Sequence, residues 1–299
     1  MKIKQFIVRV LDKMPYIKGI KRDLVNYEKW GIPGHFYNPI PNIDEVIQFE
    51  YEVERKDEYA GINLCDEEQW KFMDACKKLY SEIPFPHNKT DLYLYHFQNP
   101  NYSYADGIFY YFILRNFSPQ KIIEIDSGYS TCLAIDVNKI YFQNNIEIYA
   151  VEPYPDLVIQ LTSSDAPTLI NKKIQEVDLL TFDQLDENDI LFIDSSHVLK
   201  AGSDLNYIFF KIIPRLKKGV LIHFHDIFDK FKYPLNWITE YHRGWNEVYA
   251  LKLFLMYNEH FKVIAFNNYL IKNNEKWFKE HMPLCLENPG GSIWLRKIT

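Results

Sequence analysis

Several things are scarce in this 299-residue chain, and each scarcity excludes something. There are four cysteines, at positions 65, 76, 132 and 285, with no C-x-x-C spacing and no disulfide-like framework. Scattered thiols in a chain of this size fit a reducing compartment. No apolar run reaches the roughly 18 residues that a spanning helix needs. The apolar N-terminus is broken by Arg9, Asp12 and Lys13, so no signal peptide is expected and the protein is expected in the cytoplasm. A basic excess is also missing. The net charge of -6 argues against a general nucleic-acid binder. Internal repeats and low-complexity segments are absent too.

What is present reads as a globular enzyme-like chain, with 47% hydrophobic and 25% charged residues. The 22 Tyr and 21 Phe are many, and AT-rich codon bias accounts for them as readily as function does. The most informative stretch is Lys121 to Thr131, KIIEIDSGYST. A short apolar run closed by small turn-forming residues, then resuming at helical spacing, predicts strand, tight turn and helix N-terminus. Such a turn aims backbone N–H groups and the positive helix end at whatever sits above the strand. Three further apolar runs end in polar residues: 146–151 in Glu152, 189–193 in Asp194, and 219–222 in His223-Phe224-His225-Asp226. Four strands ending in acids or histidines, separated by helices, predict one polar-lined cleft at the carboxyl edge of a parallel sheet. An acid one βα unit beyond the turn suits ribose hydroxyls, which makes Glu152 a ribose ligand and a nucleoside-containing cofactor the economical reading.

Before this core, residues 1–30 pair basic side chains with apolar ones at helical intervals. Residues 1–22 could lie on an anionic membrane surface, or pack on their own domain or on a second subunit of a homo-oligomer. Pro15 is expected to end or kink this helix. The stretch 30–41, WGIPGHFYNPIP, is an ordered aromatic loop that covers an active site or merely packs, with His35 and Tyr37 its most interesting residues. Helices are expected over 66–80, 105–117, 238–257 and 273–281, with final strands over 261–266 and 291–296. The organisation read here is an N-terminal extension over 1–103 and a catalytic domain over 104–299.

The blocks EIDSGYST, AVEPY, DILFIDSSHVLKAGSD and PRLKKGVLIHFHDIF, in this order, resemble class I S-adenosylmethionine (SAM)-dependent methyltransferases. The likeness covers roughly 104–266 and is nearest to bacterial metal-dependent O-methyltransferases acting on small molecules and glycans. It implies a Rossmann-like α/β fold, a seven-stranded, mostly parallel sheet with helices on both faces. It also implies methyl transfer to a hydroxyl or amine of a small-molecule or glycan-like acceptor. On that likeness Glu124, Asp126, Ser127, Gly128 and Ser130 form the first motif, Glu124 near the methionine part of SAM. Glu176 and Val177 frame the adenine, and Tyr104 and Asp106 lie beside the cofactor. The family's first motif is acid-x-Gly-x-Gly, and Asp126 stands where the first glycine belongs. A fold-retaining scaffold without SAM is therefore the competing reading. The metal-dependent enzymes place an acid at the end of the fourth strand and a pair of ligands at the end of the fifth. Asp194, His225 and Asp226 match these as ligands of Mg²⁺ or a transition metal, with Asp194 also counted in the cofactor site. His197 falls where the general base lies, its ordinary pKa suiting it to take a proton at neutral pH, and it alternatively serves as a third ligand. Asp204 would cap a helix or help hold His197. His223 is read as a core histidine; along an extended strand it shares a face with His225, and if the strand ends or turns between them only His225 reaches the cleft.

Overall fold

A computed structural model of the chain describes residues 14–20, 34–52, 57–162 and 167–299. The chain divides into two compact units. The smaller comprises 1–56 with Leu235–Gly244, and the larger comprises Asp57–Pro234 with Trp245–Thr299. In the smaller unit residues 15–20 are helical, so Pro15 opens this stretch instead of ending it, where its fixed φ and missing N–H are harmless. The rest of the expected membrane-facing helix lies outside the described residues. Residues 34–40 of the aromatic loop are a series of turns, with Phe36 and Tyr37 exposed. Asn42 ends the loop by capping the short helix Ile43–Val46, its side chain accepting from two backbone amides.

The larger unit holds a seven-stranded sheet. Its strands are β1 Lys121–Ile125, β2 Glu147–Val151, β3 Thr168–Ile170, β4 Ile190–Ile193, β5 Leu221–His225, β6 Phe261–Phe266 and β7 Ser292–Lys297. They lie in the order β3-β2-β1-β4-β5-β7-β6. The first five are parallel, and β7 inserts antiparallel between β5 and β6. Strands β1, β4 and β5 are buried on both faces, which explains their unbroken apolar runs.

Alternate residues serve the two faces. On one face Ile122, Phe192, Leu221 and Trp294 pack under helices α1 Asp66–Tyr80, α2 Tyr104–Phe117 and α3 Tyr129–Tyr141. On the other, Phe224 stacks on Phe209 at 5.6 Å from the helical stretch 204–212. The larger unit starts at Asp57, well before the boundary read at 103–104. Its reason is packing: Met73 and Cys76 of α1 and the aromatics Phe85, Tyr95, Phe97 and Tyr102 share one core with α2.

The single helix expected over 238–257 is broken. Helix Leu235–Thr239 is followed by an irregular stretch, and α4 resumes only at Glu247–Leu255. Gly244 is a poor helix former and His242 takes a positive φ of 51°, so the spacing of apolar residues alone misled. The expected helix at 273–281 is Glu275–His281, preceded by a separate helix Asn267–Asn273. No helix among the described residues is long and apolar enough to cross a membrane. All four cysteines are free and buried.

Candidate active site at the carboxyl edge of the sheet

A cleft of about 480 Å³ opens beyond the carboxyl ends of β1 and β2, lined by Asp126, Tyr154, Lys173, Gln175, Ser196 and Lys200 among others. Behind it the first motif folds as a self-satisfied turn. Glu124 is fully buried and accepts from the hydroxyls of Ser130 and, at 2.5 Å, Thr131 at the start of α3. Burial pushes Glu124 up to about 8 against the opposing pull of these two donors. The Gly128 N–H donates to Thr131 Oγ1 at 3.0 Å. A Cβ on Gly128 would meet only Leu157 Cδ2 at 3.9 Å, so one side of the turn is open.

Glu152, at the end of β2, is buried and points back at the same turn. It accepts from the Ser127 N–H at 3.1 Å and hydroxyl at 3.3 Å, and from the Tyr154 N–H at 2.8 Å. Asp126 faces the cleft. Its partly enclosed position and the neighbouring Glu152 carboxylate both raise its pKa. Of the adenine-framing pair, Glu176 is exposed and Val177 is buried in the core. The residues of that segment that line the cleft are Lys173, Ile174 and Gln175, one turn earlier.

The second feature is a carboxylate–imidazole cluster at the ends of β4 and β5. Asp194, His197 and Asp226 each offer one ligand atom, all lying within 4.8 Å of one another. His197 Nε2 stands 3.5 Å from Asp194 Oδ1 and 3.4 Å from Asp226 Oδ2. Its Nδ1 faces Glu247 Oε2 at 2.6 Å, from the start of α4. Trp245 lies against the same ring, with centroids 4.1 Å apart. His225, grouped with the two acids in the sequence reading, meets one of them and lies beside the three converging ligand atoms. Its Nδ1 faces Asp194 Oδ1 at 3.3 Å and its Nε2 faces Asp106 Oδ2 at 3.8 Å.

Charge explains the protonation pattern. Burial works against a charged His225, yet Asp194, Asp226 and Asp106 outweigh it and hold the imidazole well above its ordinary pKa. Burial likewise opposes ionisation of Asp194, but His225, His197 and His223 bring it down to about 2. Burial and the charge of His225 push His223 far down, so it is neutral. His223 is fully buried, stacked on Phe192 at 3.8 Å, with its Nε2 3.4 Å from the Tyr102 hydroxyl.

Other expected neighbours have structural employment. Asp204 accepts from the Ser196 N–H and hydroxyl, at 2.7 and 2.6 Å, while Ser203 caps the helix. Phe231 and Tyr233 are buried packing residues. Asp106 accepts from Asn267, the Gly291 N–H and the Ser292 hydroxyl, which ties α2 to β7 beneath His225. That role had no signal in the sequence, because its partners lie more than 150 positions away.

The site also collects backbone strain. Asp126, His197 and Asp226 have φ of 67°, 59° and 56°, the left-handed region that side chains disfavour. Strained residues persist where the surroundings over-determine them, and they cluster at functional sites. At position 126 the conformation is the one a glycine would take without cost. Asp126→Gly is therefore expected to stabilise the fold, by about 1 kcal/mol. A shift of the urea midpoint upward at unchanged slope would show it, and a loss of stability would mean that the Asp126 side chain holds the turn.

The chain is similar to several known proteins. Residues 123–227 match the family model described as a methyltransferase domain. An uncharacterized protein of Archaeoglobus fulgidus is 35% identical over 167 residues, spanning 53% of this chain and 75% of that one. Among solved structures, the SAH-bound Podospora anserina methyltransferase PaMTH1 shares 18% identity, with 77% of this chain and 96% of that chain covered at a TM-score of 0.45. The SAH structure of CmcI-N160 shares 12% identity, with 74% and 91% covered at a TM-score of 0.35. Residues 123–227 thus carry a methyltransferase domain.

Proposed function

We propose that this chain transfers the methyl group of SAM to a hydroxyl or amine of a small-molecule or glycan-like acceptor, assisted by a divalent metal ion. The convergence of Asp194, His197 and Asp226 beside the cleft carries this reading. The donor set fits a cation. With Nδ1–H given to Glu247, His197 Nε2 presents its lone pair to two carboxylates, and three acceptors so close together call for a positive charge between them. In this reading His197 is a ligand and not a free base. A divalent ion held by these three side chains would supply Lewis acidity that lowers the pKa of an acceptor hydroxyl. One imidazole with two carboxylates suits Mn²⁺ or Fe²⁺ better than Mg²⁺, which prefers oxygen ligands throughout.

The cleft fits the donor. Glu152, oriented by Ser127 and Tyr154, would hold ribose hydroxyls, and Lys173 to Gln175 would flank the base. Asp126 would accept from the SAM ammonium, which compensates for its position near the carboxylate. Methyl transfer is a direct displacement: the O–CH₃ or N–CH₃ bond forms as the S–CH₃ bond breaks, SAH leaves as a neutral thioether and the acceptor proton passes to solvent. The contribution of the chain is alignment of the two partners and ionisation of the acceptor.

Calorimetry of SAM and SAH on metal-stripped protein, repeated with Mg²⁺, Mn²⁺ and Fe²⁺, tests this. Micromolar SAH binding is expected, with Mn²⁺ bound more tightly than Mg²⁺. No SAH binding under any metal condition would overturn the methyltransferase reading and favour a scaffold in which Asp126 blocks the cofactor.

A further inference from the structure

We propose that Glu247 is the positioning residue of the metal centre, and that Trp245-Asn246-Glu247 forms a clasp holding His197 in its ligating orientation. This rests on the metal reading above and deepens it. The three consecutive residues grip one short loop, 195–199, from every side. The backbone amides of Asn246 and Glu247 both donate to the His197 carbonyl, at 3.0 and 3.2 Å. The Asn246 side chain accepts from the Leu199 N–H at 2.6 Å and donates to the Leu199 carbonyl at 3.3 Å. The Trp245 ring covers the imidazole at 4.1 Å, and Glu247 holds its Nδ1 at 2.6 Å. The Ser195 hydroxyl closes the arrangement, accepting from the His197 N–H at 3.1 Å while facing both Glu247 oxygens at 3.4 Å.

The consequence is chemical as well as mechanical. His197 sits at a φ of 59°, a conformation it would not keep unaided. The carbonyl contacts keep it there. The Glu247 carboxylate accepts the Nδ1 proton, which commits Nε2 to the side where Asp194 and Asp226 lie. Without that acceptor the imidazole is free to swap its proton to Nε2 or to turn away, and the cluster loses its one nitrogen donor. A carboxylate behind a ligating histidine typically changes metal affinity by about 10- to 100-fold. The glutamate is almost fully enclosed, at 1% exposure, and its contacts with the site run through His197 and Ser195.

The test compares Glu247→Gln, which keeps an acceptor oxygen for Nδ1–H, with Glu247→Leu, which removes it. Mn²⁺ affinity would be read by paramagnetic resonance, and SAH affinity by calorimetry on the same full-length proteins. Expected is a loss of about 10-fold in Mn²⁺ affinity for the Gln variant and about 100-fold for the Leu variant. SAH affinity should fall much less than Mn²⁺ affinity, because Asp126, Tyr154 and Lys173 to Gln175 line the cleft from outside the clasped loop, which contributes Ser195 and Ser196. A Leu variant that binds Mn²⁺ like wild type would overturn the inference while leaving the metal reading intact. A wild-type protein that takes up no Mn²⁺ would sink the metal reading and this inference with it. If the Leu variant fails to fold, the Gln variant decides: unchanged Mn²⁺ affinity counts against the proposal, and a selective loss supports it.

Discussion

Asp194→Asn is expected to weaken Mn²⁺ binding by about a hundredfold, roughly 2.7 kcal/mol, while leaving the fold intact. The side chain ends β4 and meets His225 Nδ1 at 3.3 Å and His197 Nε2 at 3.5 Å. Held at about 2, it is ionised at every pH where the protein would work. The asparagine has the same shape and keeps one acceptor oxygen, so packing around the half-buried side chain is preserved. What it removes is one of two negative charges that face the imidazole nitrogen. A cation held in a protein site with low effective dielectric loses far more from that deletion than it would in water. Turnover with any acceptor should fall at least as far as metal affinity, since the ion both neutralises and positions. Titration of Mn²⁺ into wild-type and variant protein checks this. Equal affinities would show that the cluster is a proton-bridged structural network and not a metal centre.

Glu124→Gln is expected to remove a large pH dependence from the stability of the fold. In the folded chain burial raises this carboxyl from 4.5 to about 8, so the native state keeps its proton through a range where the unfolded chain releases it. The sign follows directly. Between pH 4.5 and about 8 the native state binds more protons, so stability falls as pH rises through that window and levels off above it. At 1.36 kcal/mol per unit, the penalty accumulated by pH 8 is on the order of 4 to 5 kcal/mol. In a domain of this size that is roughly 8 to 20 °C in melting temperature. The amide cannot ionise and can still accept from a hydroxyl of Ser130 or Thr131, so the variant should gain on wild type steadily from pH 5 to pH 8. Melting curves of both proteins at pH 5.5 and 8.5 would show the gap opening. Parallel curves would mean that Ser130 and Thr131 stabilise the carboxylate enough to cancel its burial.

The two unequal successes of sequence reading at this site have a common cause. Strand ends are written locally: an apolar run stops, a polar residue follows, and Glu152, Asp194 and Asp226 were placed correctly at the edge of the sheet because side-chain alternation needs only neighbours. The direction of a ring is not local. His225 and Asp226 are adjacent, yet the His225 ring lies between Asp194 and Asp106 while Asp226, at a left-handed φ, faces His197. The same local logic misjudged the helix expected over 238–257, where apolar spacing continued across Gly244 although the backbone did not.

The sequence by itself determined most strands of the sheet and the positions of its polar ends, while the seven-stranded count came with the family resemblance and the short β3 Thr168–Ile170 was not read. Hydrophobic period and turn chemistry operate over a few residues, and the parallel order of β1 to β5 follows from alternating strands and helices. It also determined that one motif glycine is replaced by Asp126. Tertiary structure alone decided which side chains meet. Glu247 reaches His197 across 50 positions, and Asp106 reaches Ser292 across 186. Such pairs are selected by the close packing of elements that are far apart in the chain, and the requirement that buried charge find a partner joins them only after the fold has brought them together.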